Sequence, residues 1–213
     1  MNAISYFSLT ENMKKTIGIN PEIIIPFMMN LVLTCGPQNK WETLVDLGCG
    51  FGNSTSLINK IFQFKEIICV DGSETLLGML NARKNEMFGN TPVATFRKNL
   101  ETEQIPVKEG VISMVSSYGT ACYLEQLDNL FAEASRILKS GGIFFLDMQS
   151  RNGKPLKNTN ISQKGLESYV HSEENIAHLS AKSHFLLENY SIKIENPEIG
   201  PGCLESYLFF RKT

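Results

Sequence analysis

The chain has 213 residues, 42% hydrophobic, 20% charged and 9% aromatic, with a formal net charge of −2. That length accommodates one domain with a sizeable core, and the ordinary composition excludes a disordered, collagen-like or membrane-bundle chain. No overall basic field is present to draw nucleic acid or anionic lipid, so neither is expected as a partner.

The first residues, MNAISYFSLTENMKK, lack the basic-then-apolar order of a signal peptide. Asn20-Pro21-Glu22 is a helix start: a capping amide, proline at the first helical position, then an acid in the first turn. The apolar stretch Ile23 to Cys35 is too short to span a bilayer and is interrupted by Pro26 and Asn30. It is expected to be a buried helix kinked at Pro26 and ended by Gly36-Pro37, in a cytoplasmic protein. Residues 1–40 thus read as a helical arm, and 41–213 as the main domain. Five scattered cysteines (Cys35, Cys49, Cys69, Cys122, Cys203) contain no CxxC pair, which argues for free thiols rather than a disulfide framework or zinc site.

From Trp41 the pattern changes. TLVDLG reads as a strand entering a glycine turn, STSLINKIFQF as a helix, EIICVDG as a second strand, and SETLLGMLNARKNEM as a helix capped by Ser73. TPVATFRKN contains a third strand, VISMVSS is a fourth, LEQLDNLFAEASRILK is an amphipathic helix stopped by SGG, and GIFFLDM is a fifth strand. Such alternation means βαβ crossovers and a doubly wound, mainly parallel α/β sheet with helices on both faces. Residues 150 to 170 form a polar stretch carrying Arg151, Lys154, Lys157 and Lys164, followed by a helix from Ser172 to about Ser183. Two strand-like runs, YSIKIE and ESYLFF, are joined by the turn-rich NPEIGPGC and should pair antiparallel.

The chemistry concentrates in VDLGCGFGN, residues 45 to 53. Ligands of an open parallel sheet bind beyond the carboxyl ends of its strands, where strand order reverses. Gly48 and Gly50 allow a sharp turn and close approach of backbone to ligand. Gly52 allows the next helix to pack tightly and present its N-terminal amides. A dinucleotide site calls for GxGxxG, whereas this is GxGxG. Asp46, just before the turn, suits a ligand carrying a positive group such as an ammonium. Asp71 ends the second strand, where a carboxylate can accept both hydrogen bonds of a ribose diol.

Strand-DLGCGFG-helix, strand-VDGSE-helix and ILKSGGIFFLD together resemble the class I S-adenosylmethionine-dependent methyltransferases, from about residue 41 to the C-terminus. The resemblance implies a seven-stranded sheet of order 3-2-1-4-5-7-6, S-adenosylmethionine as cofactor, and binding at the edge of strands 1 and 4. It implies that Asp46, Gly48 and Gly50, with Cys49 between the glycines, hold the methionine part. Asp71 would take the ribose hydroxyls, with Gly72 and Ser73 beside the adenosine. Asn99 and Leu100 fall where the family has an acid and its neighbour against the adenine; Asn keeps an acceptor but loses the charge. Ser116 and Ser117 would line the methionine end.

Methyl transfer from a sulfonium is an in-line displacement with a good leaving group, so the protein mainly positions the nucleophile, adding a base if the acceptor is a hydroxyl. Candidates for that role are Tyr118 and Tyr123 after the fourth strand, Asp147 on the fifth, and His171 before the late helix. His178 and His184, six apart, form no metal pair. SSYGTACYLEQL stands where base-amino methyltransferases of nucleic acid carry an Asn/Asp-Pro-Pro-aromatic motif, so a small-molecule acceptor is expected. Two other functions fit parts of the pattern: a non-catalytic cofactor-binding regulator and an NAD-dependent oxidoreductase. Residues 1 to about 19, with Tyr6-Phe7, are expected to act as a lid over the carboxyl edge.

Overall fold

Apolar runs closed by an acid or glycine form the strands, and the amphipathic runs between them form the helices. The computed structural model describes residues 41–158, 167–188, 191–195 and 199–213. The expected N-terminal arm, with its Pro26 kink and lid, lies outside the described residues, as does Lys164. Described elements run β1 (Thr43–Leu47), α1 (Asn53–Phe62), β2 (Glu66–Asp71), α2 (Glu74–Phe88), β3 (Val93–Arg97) and β4 (Ile112–Ser117). A 3-10 turn (Ala121–Tyr123), α3 (Asp128–Ile137), β5 (Leu138–Arg151), β6 (Leu156–Asn158) and β7 (Ser168–Ser172) follow. The chain ends with α4 (Glu173–Lys182), β8 (Phe185–Leu187), β9 (Ile192–Glu195) and β10 (Cys203–Lys212).

The sheet order is β3-β2-β1-β4-β5-β10-β8. Strands β1 to β5 are parallel, and β10 lies antiparallel to β5 over nine register pairs, Cys203↔Arg151 to Arg211↔Ile143. This is the expected seven-place order, with β10 in seventh place. The sixth is shared by two segments: β9 pairs with Leu204–Tyr207 of β10, and β8 with Phe210–Lys212. Because β1 lies between β2 and β4, strand order reverses there, and the crossovers leave a crevice beyond its carboxyl end.

Helices α2 and α4 are capped by the serines their sequences offer. Ser73 accepts the Leu76 N–H and Ser172 the Asn175 N–H, each at 3.3 Å. One sheet face buries Val45, Val115, Phe144 and Leu208 under Phe131 and Ile137 of α3 and Leu179 of α4. The other buries Leu44, Cys69, Met114 and Phe209 under Ile58 and Phe62 of α1 and Leu80 of α2. Phe131 meets Phe144 and Phe210 edge-on, with centroids 5.6 Å away in both cases, a geometry favoured by the ring quadrupole.

Two local expectations need correction. Helix α3 ends at Ile137, two residues short of Lys139, because Leu138 already pairs with Ile112; a bulge then shifts the register so that Met114 faces Ile143. The polar stretch from 150 to 170, to which the sequence reading gave no strand, contributes strand pairing. Strand β5 continues to Arg151, β7 joins it in parallel through Ser150↔His171 and Arg151↔Ser172, and β6 pairs antiparallel with β7. Pairing of the backbone here needs no apolar face, so hydrophobic periodicity gave no sign of it.

Candidate functional site

At the end of β1 the chain turns on three left-handed glycines, Gly48 (φ 84°), Gly50 (φ 55°) and Gly52 (φ 90°). The Gly48 and Cys49 N–H groups donate to the Val70 carbonyl at 2.7 and 3.1 Å, which ties the turn to β2. The glycines serve different ends. A Cβ on Gly48 would lie 2.0 Å from Thr120 Oγ1, whose hydroxyl donates to the Gly48 carbonyl at 3.0 Å. One on Gly52 would press on Leu80 at 3.1 Å, where α1 meets α2. One on Gly50 would meet nothing within 4 Å, because Gly50 faces a cavity.

Asp71 stands under that cavity. Its Oδ2 accepts the Gly50 N–H and its Oδ1 the Ser73 N–H, both at 2.8 Å. Burial raises its pKa, while these backbone donors oppose the rise. Cys49 also borders the cavity, while its side chain belongs to the buried cluster with Cys69; burial together with Cys69 pushes the thiol well above the ordinary thiol range. It is therefore protonated at neutral pH and no nucleophile.

Asp46 is fully buried behind the turn. Thr55 Oγ1 donates to its Oδ2, and Ser116 Oγ donates to its Oδ1 at 2.7 Å. Its pKa is raised to about 6, chiefly by burial, which its two hydroxyl donors only partly offset. A carboxyl whose native pKa exceeds its unfolded value costs stability as pH rises through the interval between the two. Asp46→Asn should therefore gain on the wild type by about 2 kcal/mol between about pH 4 and pH 7. Parallel urea melts at the two pH values measure this, and a pH-independent difference would refute the placement.

The cavity, about 290 Å³, opens beyond the carboxyl ends of β1, β2 and β4. Of the residues singled out in the sequence, it brings together Gly48, Cys49, Gly50, Asp71, Gly72, Ser73, Asn99 and Leu100, with Tyr118 and Tyr123. It does not bring Asp46, Ser116, Ser117, Asp147 or His171 to its wall. Ser116 turns toward Asp46, so Ser117, next along the strand, points to the opposite sheet face and is fully buried. Asp147 Oδ2 accepts the Gly119 N–H at 2.9 Å from behind the wall, and burial beside Glu205 keeps its carboxyl well above the usual range. His171 is 4% exposed and donates from Nε2 to the Ala121 carbonyl at 3.0 Å, which props the 3-10 turn; burial lowers its pKa, opposed by its backbone hydrogen bonds.

Several lining residues escaped the sequence reading. Phe51, Asn53 and Ser54 belong to the turn and first turn of α1, and the motif itself could have signalled them. Lys98 and Glu101 flank Asn99-Leu100, while Gly119 and Thr120 follow Tyr118. Glu167 and Tyr169 arrive on the β6–β7 ribbon, for which no local signal existed. Among the described residues, no cluster of three or more His, Cys, Asp or Glu could hold a metal ion, and no helix is long and apolar enough to cross a membrane.

Residues 45–146 match the family model described as a methyltransferase domain. A probable S-adenosylmethionine-dependent methyltransferase of Saccharomyces cerevisiae is 30% identical over 103 residues, which is 48% of this chain and 34% of that protein. Geranyl diphosphate 2-C-methyltransferase of Streptomyces ambofaciens is 32% identical over 142 residues, 64% of this chain and 47% of that protein. The chain thus spans less than half the length of these curated relatives. Among solved structures, geranyl diphosphate C-methyltransferase of Streptomyces coelicolor A3(2), with Mg2+, geranyl diphosphate and S-adenosyl-L-homocysteine, superposes with a TM-score of 0.73 at 19% identity. That match covers 96% of this chain and 85% of the other, and it establishes the fold.

Proposed function

We propose that this protein, whose residues 45–146 match the methyltransferase-domain family model, is a class I S-adenosylmethionine-dependent methyltransferase that transfers a methyl group to a small-molecule acceptor by in-line displacement. The cofactor is S-adenosylmethionine, whose sulfonium supplies an activated methyl group and a neutral leaving group. The observation that carries the assignment of the site is the space over Gly50, which a Cβ would enter, with Asp71 fastened beneath it by the Gly50 and Ser73 amides. Asp71 retains lone pairs for a ribose diol. Gly48, Cys49 and Gly50 offer bare backbone to the methionine part, and Asn99 and Leu100 border the place of the adenine.

The residues of the chain act mainly by positioning. Thr120 and Gly48 lock the β4 loop to the glycine turn, so the wall that would orient an acceptor is rigidly joined to the wall that would hold the cofactor. Asp147 fixes Gly119 in that same loop. Tyr118 and Tyr123 line the cavity, and an aromatic face beside a developing or fixed positive charge is favourable. The two named relatives from Streptomyces act on geranyl diphosphate, a small molecule, and this supports the acceptor's size class.

S-adenosylhomocysteine should raise the melting temperature, since a ligand bound only by the native state stabilises it by about 2.7 kcal/mol at a hundred times its Kd. NAD should produce no shift. Calorimetric scans with each ligand provide the test. A shift with NAD alone would replace this function with a hydride-transfer one.

A further inference from the structure

Binding of the cofactor by the glycine turn, Asp71 and Asn99 leaves part of the cavity lining without a task. Tyr118, Tyr123 and Tyr169 line the cavity together with Glu101, Glu125 and Glu167. These groups converge. The Tyr169 hydroxyl donates to Glu167 Oε2 at 3.1 Å, and its pKa is pushed up to about 12 by burial and then by Glu167, Glu125 and Glu101 in turn. The Tyr169 ring already has one ammonium near its face, Lys157 Nζ at 6.0 Å from the centroid.

Among the described residues, positive charge on the cavity wall is spoken for. Lys98 is the one basic residue among the described lining residues, and its ammonium is bound to Glu103 at 3.1 Å. Lys157 is held by Glu167. Glu101 spends one oxygen on the Glu125 and Gln126 amides, at 2.8 and 3.0 Å. Among the described residues, neither Glu101 nor Glu125 has a cationic partner.

Resting on the methyltransferase reading above, we propose that the methyl acceptor is a cationic amine, held by the Tyr118–Tyr123–Tyr169 faces and the Glu101 and Glu125 carboxylates. Among the described residues, an anionic acceptor would enter against the Glu101 and Glu125 carboxylates with no free cation on the wall to meet it. A neutral apolar acceptor would strip water from Glu101 and Glu125 and return nothing for it. An alkylammonium satisfies both the carboxylates and the aromatic faces. For reaction, the ammonium first gives up one proton to water at the mouth, where Glu125 and Glu167 are exposed. The freed nitrogen lone pair then forms the N–C bond as the C–S bond breaks, and the electron pair of that bond stays on sulfur. The product is again an ammonium.

Choline, 3,3-dimethylbutan-1-ol and 3,3-dimethylbutanoate share a branched trimethyl end of one shape, built on nitrogen in choline and on carbon in the others, and carry a cation, no charge and an anion. Each is titrated by NMR into the protein saturated with S-adenosylhomocysteine. Choline should bind at least about tenfold more tightly than the alcohol, with the anion weakest. Tyr169→Leu and the exposed Glu125→Gln should each weaken choline binding several-fold while leaving S-adenosylhomocysteine affinity unchanged. Binding of the alcohol or the anion as tightly as choline, no choline binding to the folded complex, or full choline affinity in both variants would overturn the proposal. If S-adenosylhomocysteine itself fails to bind the folded wild type, the methyltransferase reading falls, and the acceptor proposal falls with it.

Discussion

Gly50→Val should abolish S-adenosylhomocysteine binding while leaving a folded protein. Nothing of the protein lies within 4 Å of the position a Cβ would take, so the substitution does not overpack the core. Its cost to folding is the strain of a β-branched residue at φ 55°, about 1–3 kcal/mol. Its cost to binding is larger, because the side chain would occupy the space where backbone and ligand must approach. Gly50→Ala separates the two effects, with milder strain and a single intruding methyl. Calorimetry should show affinity falling by about a hundredfold or more for valine, a loss of about 2.7 kcal/mol, and by less for alanine. Wild-type affinity in a folded Gly50→Val protein would place the cofactor away from the glycine turn.

Asp71→Ala should reduce cofactor affinity by a comparable factor for a different reason. The carboxylate braces the turn by accepting the Gly50 and Ser73 amides at 2.8 Å each, and it faces the cavity with lone pairs to spare. Hydrogen bonds to a charged group contribute about 1.5–3 kcal/mol each, so losing a ribose contact together with the brace costs more than one such bond. The apo protein should remain folded, because Asp71 borders the cavity, from which water can replace it at the Gly50 amide. Adenosine should lose its binding in parallel, whereas methionine, which makes no ribose contact, should not. An Asp71→Ala protein that binds adenosine as the wild type does would put the ribose elsewhere.

Local sequence determined the alternation of strands and helices, because each element carries its own period and its own stop. TLVDLG and EIICVDG each carry an acid at or next to the strand end and stop at the glycine that follows, and Ser73 and Ser172 cap their helices through bonds no longer than three residues in sequence. The glycine turn was equally legible, since a left-handed φ is a property of a single residue. With it came the part of the cavity built from contiguous chain: Gly48 to Gly50, Asp71 to Ser73, and Asn99-Leu100.

Only the tertiary structure decided which side chains reach the cavity from strands buried on both faces. All six residues of β4 are buried, so its sequence bears no mark of the alternation that turns Ser116 to Asp46 and Ser117 away. Asp46 resembles a ligand acid in sequence and lies instead between Thr55 and Ser116, nine and seventy residues away. Glu167 and Tyr169 reach the cavity only because β7 pairs with the extended end of β5 through backbone hydrogen bonds. Such bonds are the same for every non-proline residue type, so a sequence does not announce where they will form.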